Sequence, residues 1–346
     1  MGMGKEKKIL VMENNIFVTI AIPLYNKEQY IERCFNSVAK QTYKNIECII
    51  VEDCSTDNSM RIAEQLIANY IGPIKFLLIK HEQNEGLSVS RNTGIFNSKG
   101  DYIFFLDADD EITEICISSL VALAEKYPGV DMVQGGILLC KDKDEIFHPK
   151  EKLPEIIKGN MEIRKKYQSH NHIPVSTWNK LVRKEFIRNN NLYFKKGLVH
   201  EDLHWKHFWL KSIECFAFTT NVTYIYYVVS DSIMTNTNLF QSISTHLTIA
   251  EDILNNLDLN FLEQEINEAR WILLWQKERI LSDEKYSLLL NKCNKLLNKL
   301  PKSHCYILLA IREISRELKR IIKVVIYKIL GKNIVLKIKV IINNVK

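Results

Sequence analysis

The chain has 346 residues and a formal net charge of +6, with 46% hydrophobic and 25% charged residues. These fractions are ordinary for a soluble globular protein, and the length suits one large domain or two modest ones. No apolar run approaches the roughly 18 residues of a membrane-spanning helix, and the N-terminal apolar run is too short for a signal peptide. The eight cysteines include no C-x-x-C pair, which favours reduced thiols in a cytoplasmic protein over a disulfide framework.

The first 140 residues alternate between strand and helix patterns. Short apolar, β-prone runs predict strands at 17–22, 46–51, 74–79, 102–106 and near 130–139. Apolar residues three or four positions apart, or helix-start residues, predict helices at 27–41, 57–70, 87–97 and 113–126. This order predicts an α/β fold, in which a mainly parallel sheet is flanked by helices. Beyond a less regular, aromatic-rich stretch at 145–235, the chain is mainly helical.

Three aspartates follow the fourth predicted strand. Asp107 and Asp109, on either side of Ala108, could converge on a hard cation across a tight turn. Mg²⁺ and Mn²⁺ prefer such oxygen ligands and typically take one or two carboxylates together with phosphate oxygens. A solvated turn is the other interpretation of an isolated D-x-D. Asp110 is expected only to start the next segment.

Polar residues also follow the second and third predicted strands. Glu52 and Asp53 could accept from the N–H of a nucleotide base. Gly86 permits close approach of the backbone, and a helix N-terminus favours anions. Arg91 could then pair with a phosphate, although a plain amphipathic helix with a surface arginine is the alternative. Because ligands of parallel sheets bind beyond the carboxyl ends of the strands, these groups would share one site.

Five segments together resemble one known family. They are PLYN (23–26), VEDCSTD (51–57), NEGLSVSRNTG (84–94), GDYIFFLDADD (100–110) and HEDL (200–203). In this order and spacing they resemble family 2 glycosyltransferases over roughly residues 17–235. The resemblance implies the GT-A fold, a nucleotide-diphosphate-sugar donor (a UDP-sugar above all), Mn²⁺ or Mg²⁺, and usually an inverting mechanism. It also implies a glycan or lipid-linked acceptor, in the assembly of surface polysaccharide or glycolipid.

The resemblance sets the expected domain organisation. We expect an N-terminal extension at 1–16, a catalytic domain at 17–238 and a helical C-terminal region at 239–346. Within the catalytic domain, 17–110 would bind the nucleotide sugar and 111–238 the acceptor. The expected location is cytoplasmic, either free or peripheral at the inner face of the cell membrane.

Roles follow for individual residues. On the donor side, Pro23, Tyr25 and Asn26 would line the base pocket, Asp53 would accept from the base, and Glu52 would shape the pocket. Arg91 would lie near the phosphates, and Asp107 would lie near the ribose or sugar. The remaining donor-side contacts would come from Asn84, Gly86 and Ala108. Asp109, with Asp107, would hold the metal. On the acceptor side, Asp202 would be the general base with Glu201 beside it, among Trp178, Asn179, Lys180 and His200.

Two departures from the family pattern stand out. Cys54 occupies a position where the family more often has glycine, which predicts that this turn needs no positive φ. Val228 and Val229 replace a basic residue, which puts a phosphate contact from that position in doubt.

The segment from His200 to His204 also matches H-E-x-x-H, the zinc protease motif. The extended form of that motif is missing, and a protease would leave the polar strand ends unexplained. A non-catalytic sugar-nucleotide or polysaccharide-binding protein is a further alternative. The presence of Asp107, Asp109 and Asp202 argues against it.

The positive charge is concentrated at the C-terminal end. Residues 301–346 carry a net charge of +9, so residues 1–300 carry −3. Apolar residues recur every three or four positions from Ile307 to Ile329, which predicts a basic amphipathic helix. Attachment to an anionic membrane surface is one interpretation. Packing on the catalytic domain or on a homodimer partner is the other, and the apolar face argues against nucleic acid.

Overall fold

The computed structural model describes residues 16–140, 145–147, 153–168, 173–228, 238–281 and 287–300. The basic tail at 301–346 and most of the N-terminal extension lie outside the described residues. The chain divides into two compact units, Met1–Thr237 and Asn238–Lys346.

The strands of the first unit form one mixed sheet. They are β1 (Val18–Leu24), β2 (Ile46–Glu52), β3 (Lys75–Lys80), β4 (Tyr102–Phe105), β5 (Glu111–Ile112), β6 (Met132–Cys140), β7 (Glu145–Phe147), β8 (Ile156–Lys158), β9 (Lys180–Arg183) and β10 (Cys215–Tyr227). Their order is β3-β2-β1-β4-β9-β6-β10-β5, with β7 beside β6 and β8 beside β10.

The first four strands are parallel to one another. β1 lies between β2 and β4, and β2 pairs with β3. The register aligns Leu24 with Glu52 and Glu52 with Lys80, so the carboxyl ends of these strands meet at one edge. β9 runs antiparallel to both β4 and β6, whereas β6 and β10 are parallel. The predicted parallel α/β sheet is confirmed, and antiparallel β9 is an addition.

Helices cover both faces of the sheet. They are α1 (Ile31–Ala39), α2 (Ser59–Asn69), α3 (Leu87–Asn97), α4 (Cys116–Lys126), α5 (Asn160–Gln168), α6 (Lys184–Asn189) and α7 (Glu201–Ser212). Side chains alternate between the faces of a strand. Ile20 and Ile22 of β1 therefore pack with α1, α2 and α4 in one core, while Ala21 between them packs with α3, α6 and α7 in the other.

The second unit is helical, as predicted. It contains α8 (Leu239–Asn255), a short 3₁₀ helix (Leu259–Phe261), α9 (Leu262–Leu281) and α10 (Ser287–Lys299). The Asn238 side chain caps α8 by accepting from the Phe240 N–H, and α9 packs against both α8 and α10. In the part of the chain that the structure describes, no helix is both long enough and apolar enough to cross a membrane.

Candidate functional site

The turn after β2 is built around the Glu52 carboxylate. Glu52 is buried and accepts from the backbone N–H of Cys54 at 3.2 Å and of Ser55 at 2.6 Å. Cys54 has a φ of 61°, so the prediction that this turn needs no positive φ is wrong. The left-handed conformation costs a non-glycine residue roughly 1–2 kcal/mol. The two hydrogen bonds to Glu52 hold the turn in this conformation despite that cost.

Asp53 is also buried, and it holds the loop before α3. Its carboxylate accepts from the N–H of Glu85 at 2.8 Å and of Gly86 at 2.7 Å, and lies 2.7 Å from His81 Nδ1. The exposed Asn84 donates to the Asp53 carbonyl at 3.3 Å. In this structure Asp53 therefore organises the donor-side loop, and its contact with a nucleotide base stays a prediction.

The PLYN segment lies against the turn after β2. Asn26 has a φ of 50°, its side-chain oxygen accepts from the Thr56 N–H at 2.8 Å, and its own N–H donates to Ser55 Oγ at 3.1 Å. Tyr25 is 42% exposed, whereas Pro23 is half-buried in β1. The Tyr25 ring is therefore available to stack on a ligand above a rigid turn.

The loop after β4 presents two accessible carboxylates. The Asp107 side chain is 26% exposed and meets Arg91 Nη2 at 2.8 Å. The Asp109 side chain is 18% exposed and meets Lys27 Nζ at 2.6 Å. Ala108 between them is buried. Each carboxylate is thus balanced by one cationic side chain of the protein, so this loop is not a plain solvated turn.

Asp110 belongs to the framework of the site, although the sequence suggested only the start of a segment. It is buried and accepts from the Tyr224 hydroxyl at 2.8 Å and from the Tyr227 N–H at 2.9 Å. Burial, with the charges of Asp107 and Asp109, raises the pKa of Asp110 to about 8. No local pattern could reveal this role, because the partners lie more than 110 residues further along the chain.

Arg91 connects the donor-side loop to the HEDL segment. Gly86, with a φ of 88°, starts α3, and the helix carries Arg91 into the interior, where it is only 2% exposed. One terminal nitrogen bonds Asp107 and the other bonds Glu201. Burial opposes its charge, yet Glu201 and Asp107 raise the pKa of Arg91 above its ordinary value. The alternative of a surface arginine is therefore wrong, and its contact with a donor phosphate stays a prediction.

The two acids of HEDL have different surroundings. His200, in the left-handed conformation with a φ of 64°, precedes α7. Glu201 is buried against Arg91, and burial raises the pKa of its carboxyl group while Arg91 opposes that rise. Asp202 is half-buried, and its carboxylate accepts from the adjacent Leu203 N–H at 2.8 Å. Within the described part of the chain, Glu201 pairs with Arg91 and the Asp202 carboxylate pairs with no cation.

The zinc protease interpretation finds no support in this geometry. Glu201 would have to act as the base, but it is bonded to Arg91. Within the described ranges, no three His, Cys, Asp or Glu side chains come together as a set that could hold a metal.

Trp178 contributes an aromatic stack next to the site. Its ring stacks on Tyr224, with centroids 4.5 Å apart, and on Tyr226 at 5.3 Å. Tyr224 in turn bonds Asp110, so the stack is connected to the loop after β4. The position of Trp178 on the acceptor side stays a prediction.

Asn179 and Lys180, which follow Trp178, are buried, and their position on the acceptor side stays a prediction. The Asn179 amide donates to the Gly135 carbonyl at 2.8 Å and accepts from Thr223 Oγ1 at 2.6 Å. Lys180 is fully buried and donates to the Pro174 carbonyl at 3.0 Å. Burial lowers the pKa of Lys180 to about 7. Both residues support the loop that carries Trp178.

Comparison with known proteins identifies the family. Residues 19–190 match the model of Glycosyl transferase family 2, and the chain belongs to that family. The parallel strands with polar carboxyl ends and the helical flanks are the GT-A architecture that the sequence predicted.

The chain is similar to several glycosyltransferases. It is 30% identical over 228 residues to the uncharacterized glycosyltransferase YibD of Escherichia coli K12, a match that covers 64% of each chain. It superposes on S. aureus TarS 1-349 in complex with UDP-GlcNAc with a TM-score of 0.66 and 20% identity, covering 83% of this chain and 82% of that one. For the mannosyltransferase PcManGT from Pyrobaculum calidifontis, in complex with GDP-Man and Mn²⁺, the TM-score is 0.54, the identity 13%, and the coverage 92% and 81%. The matches span only 18–64% of the first three curated relatives.

Proposed function

We propose that this protein transfers a sugar from a nucleotide-diphosphate sugar to a hydroxyl group of a glycan or lipid-linked acceptor, with inversion at the anomeric carbon. The observation that carries the proposal is the Arg91 bridge. It holds Asp107, on the donor side, and Glu201, in the HEDL segment, on one guanidinium. The groups that would bind the leaving diphosphate and those that would activate the attacking hydroxyl therefore belong to one site.

The loop after β4 fits a divalent metal. The two accessible carboxylates, Asp107 and Asp109, are hard oxygen donors, and the ammonium of Lys27 already occupies a cation position beside Asp109. Mg²⁺ or Mn²⁺ in such sites takes one or two carboxylates together with phosphate oxygens, so Asp109, assisted by Asp107, would hold the metal. When bound, the metal would neutralise the charge that develops on the departing diphosphate. The Mn²⁺ in the PcManGT complex supports this part of the proposal.

The donor would lie across the strand ends. The exposed ring of Tyr25 would stack on the base, and the turn held by Glu52 and the loop held by Asp53 would form the walls of the pocket. We expect a UDP-sugar, because TarS, the more similar of the two structures, holds UDP-GlcNAc. The GDP-Man in PcManGT makes a GDP-sugar the second candidate.

Asp202 would be the general base. The proton of the acceptor hydroxyl must be removed as the oxygen attacks, and a carboxylate within hydrogen-bond reach can accept it. Glu201 is bonded to Arg91, which leaves Asp202 for this task. A single base that activates an acceptor for direct displacement of the diphosphate implies inversion, while Glu201 and Arg91 would keep α7 in place.

The proposed cellular setting is the cytoplasmic face of the cell membrane. Surface polysaccharide or glycolipid assembly would suit a lipid-linked acceptor, and the basic residues of 301–346 would then attract anionic lipids. That tail lies outside the described residues, so its membrane role and a peripheral location at the inner face of the membrane stay predictions.

A ligand screen tests the proposed function. The melting temperature of the protein would be measured with UDP-, GDP-, CMP- and dTDP-sugars, with and without Mn²⁺, followed by release of nucleotide from any donor that binds. We expect one nucleotide class to stabilise the native protein only with Mn²⁺, and to be cleaved slowly. Asp109→Asn should lose this response, whereas Asp258→Asn, a cap of the 3₁₀ helix in the other unit, should keep it. No stabilisation by any of the four classes would refute the proposal.

A further inference from the structure

Lys27 forms a close ion pair with the carboxylate assigned to the metal. Its Nζ lies 2.6 Å from Asp109 Oδ2, and the two side chains are 14% and 18% exposed. A cation is therefore already present at the oxygen where a divalent ion would bind. Because the pair is largely withdrawn from water, its charges are screened less than those of a surface pair.

The backbone of Lys27 is fixed, but its side chain can reorient. Its N–H donates to Ser59 Oγ at 2.7 Å, and its carbonyl accepts from the N–H groups of Tyr30 and Ile31 at 2.9 and 3.0 Å. Lysine carries its charge on a flexible four-carbon chain with three rotatable donors. Nζ can therefore leave Asp109 while the start of α1 stays in place.

Asp109 makes few other hydrogen bonds to the described residues. Its carbonyl oxygen accepts from the Arg33 guanidinium, which fixes the peptide without using the carboxylate. Among the described residues, Lys27 is the one hydrogen-bond partner of the Asp109 carboxylate. Replacing Lys27 with another cation would therefore leave the loop after β4 intact.

We propose that Lys27 makes metal binding depend on the donor. Its ammonium group pairs with Asp109 until a nucleoside diphosphate binds and replaces Asp109 as the partner of that ammonium group. Without nucleotide, a divalent ion must displace the Lys27 ammonium group from Asp109, and the nearby positive charge of Lys27 then repels the ion. With nucleotide, the diphosphate oxygens accept from Lys27 in a charge-assisted hydrogen bond, and Asp109 becomes free for the metal. Metal and diphosphate then bind cooperatively, and each raises the affinity for the other by the same factor. This inference rests on the proposed function.

Calorimetric titration with Mn²⁺ alone, and again in the presence of saturating UDP or GDP, tests the inference. For the native protein we expect nucleotide to raise the Mn²⁺ affinity at least about 30-fold, within the usual range of coupling between sites. Lys27→Met should bind Mn²⁺ without nucleotide about 10-fold more tightly, and its coupling factor should fall about 10-fold. Lys27→Arg keeps the charge and should behave like the native protein.

The control is Lys126→Met, which breaks an ion pair of similar length, Lys126–Glu155 at 2.5 Å, and should leave both affinities unchanged. Equal Mn²⁺ affinity of native protein and Lys27→Met, measured without nucleotide, would overturn the inference. Failure of the native protein to bind any of the four nucleotide-sugar classes with Mn²⁺ would instead refute the proposed function. Lys27→Gln, checked by circular dichroism, replaces the methionine variant if that variant does not fold.

Discussion

The acids at the end of β2 and those at the end of β4 lie at the same edge of one sheet, but they have different partners. Glu52 and Asp53 are buried and accept mainly from backbone N–H groups. Asp107 and Asp109 are partly exposed and meet the cations of Arg91 and Lys27. A backbone donor cannot leave without moving its loop, whereas a side-chain cation can be exchanged for a ligand. The first pair therefore builds the site, and the second pair is available for chemistry.

The largest effect on stability is expected from Arg91→Met, because this change leaves Asp107 and Glu201 without their shared cation. Breaking a buried ion pair from one side costs about 3–5 kcal/mol, and urea unfolding measures the loss. Arg61→Met is the matched control, since the exposed Arg61 bonds only Asn58 and Gln65, in or next to its own helix, among the residues that the structure describes. It should change the free energy of unfolding by less than about 0.5 kcal/mol. Equal effects of the two changes would show that the bridge is not structural.

A matched pair of isosteric changes tests the contrast between the two strand ends directly. Asp53→Asn places an amide against the N–H groups of Glu85 and Gly86, and should lower the free energy of unfolding by about 1–3 kcal/mol. Asp109→Asn leaves an amide oxygen for Lys27, whose flexible side chain can also turn towards water, and should cost less than about 1 kcal/mol. Urea unfolding without metal separates them. A larger loss for Asp109→Asn would reverse the assignment of scaffold and reactive acids.

Asp110 should make stability depend on pH. Its pKa is raised to about 8 in the folded protein, against roughly 3.9 in an unfolded chain. Between these values the folded state binds a proton that the unfolded state has released, so the free energy of unfolding falls as pH rises, by at most about 1.4 kcal/mol per unit. The fall ends above pH 8. Urea unfolding from pH 5.5 to 9 should show this slope in the difference between native protein and Asp110→Asn, and a constant difference would contradict it.

The smallest effect is expected at Cys54, whose φ of 61° suits glycine. Cys54→Gly relieves about 1–2 kcal/mol of backbone strain but adds about 0.5–1 kcal/mol of chain entropy to the unfolded state, so we expect a net gain near 0.5 kcal/mol. Cys54→Ala keeps the Cβ atom and should show no gain. Thermal unfolding compares the two variants, and a destabilised glycine variant would mean that the thiol itself contributes.

The parallel half of the sheet and its polar edge could be predicted from the sequence, because the apolar runs that form β1 to β4 are each followed by polar residues, such as Asp53 after β2 and Asp107 after β4. The antiparallel strands β5 and β9 have only two and four residues, too few for a period to be recognised. They are fixed by pairing with distant strands, not by local pattern.

The site residues show the same difference between features with a local sequence pattern and features fixed by distant contacts. Gly86 and Arg91 were recognisable because a loop-to-helix transition has a local pattern. The burial of Asn179 depends on Gly135 and Thr223, each more than 40 residues away. No local sequence pattern predicts such a contact. Family spacing predicts which segments meet, but not which side chain of a segment faces the ligand.

The most direct test of the account is turnover by Asp202→Asn. With the donor selected by the melting screen and saturating Mn²⁺, release of nucleotide should fall about 10²–10⁴-fold, the usual contribution of a general base, while the donor still raises the melting temperature as in the native protein. Asp252→Asn, at a half-buried position of α8 in the other unit, should leave turnover unchanged. Native turnover by Asp202→Asn would contradict the assignment of the base, and with it the proposed mechanism.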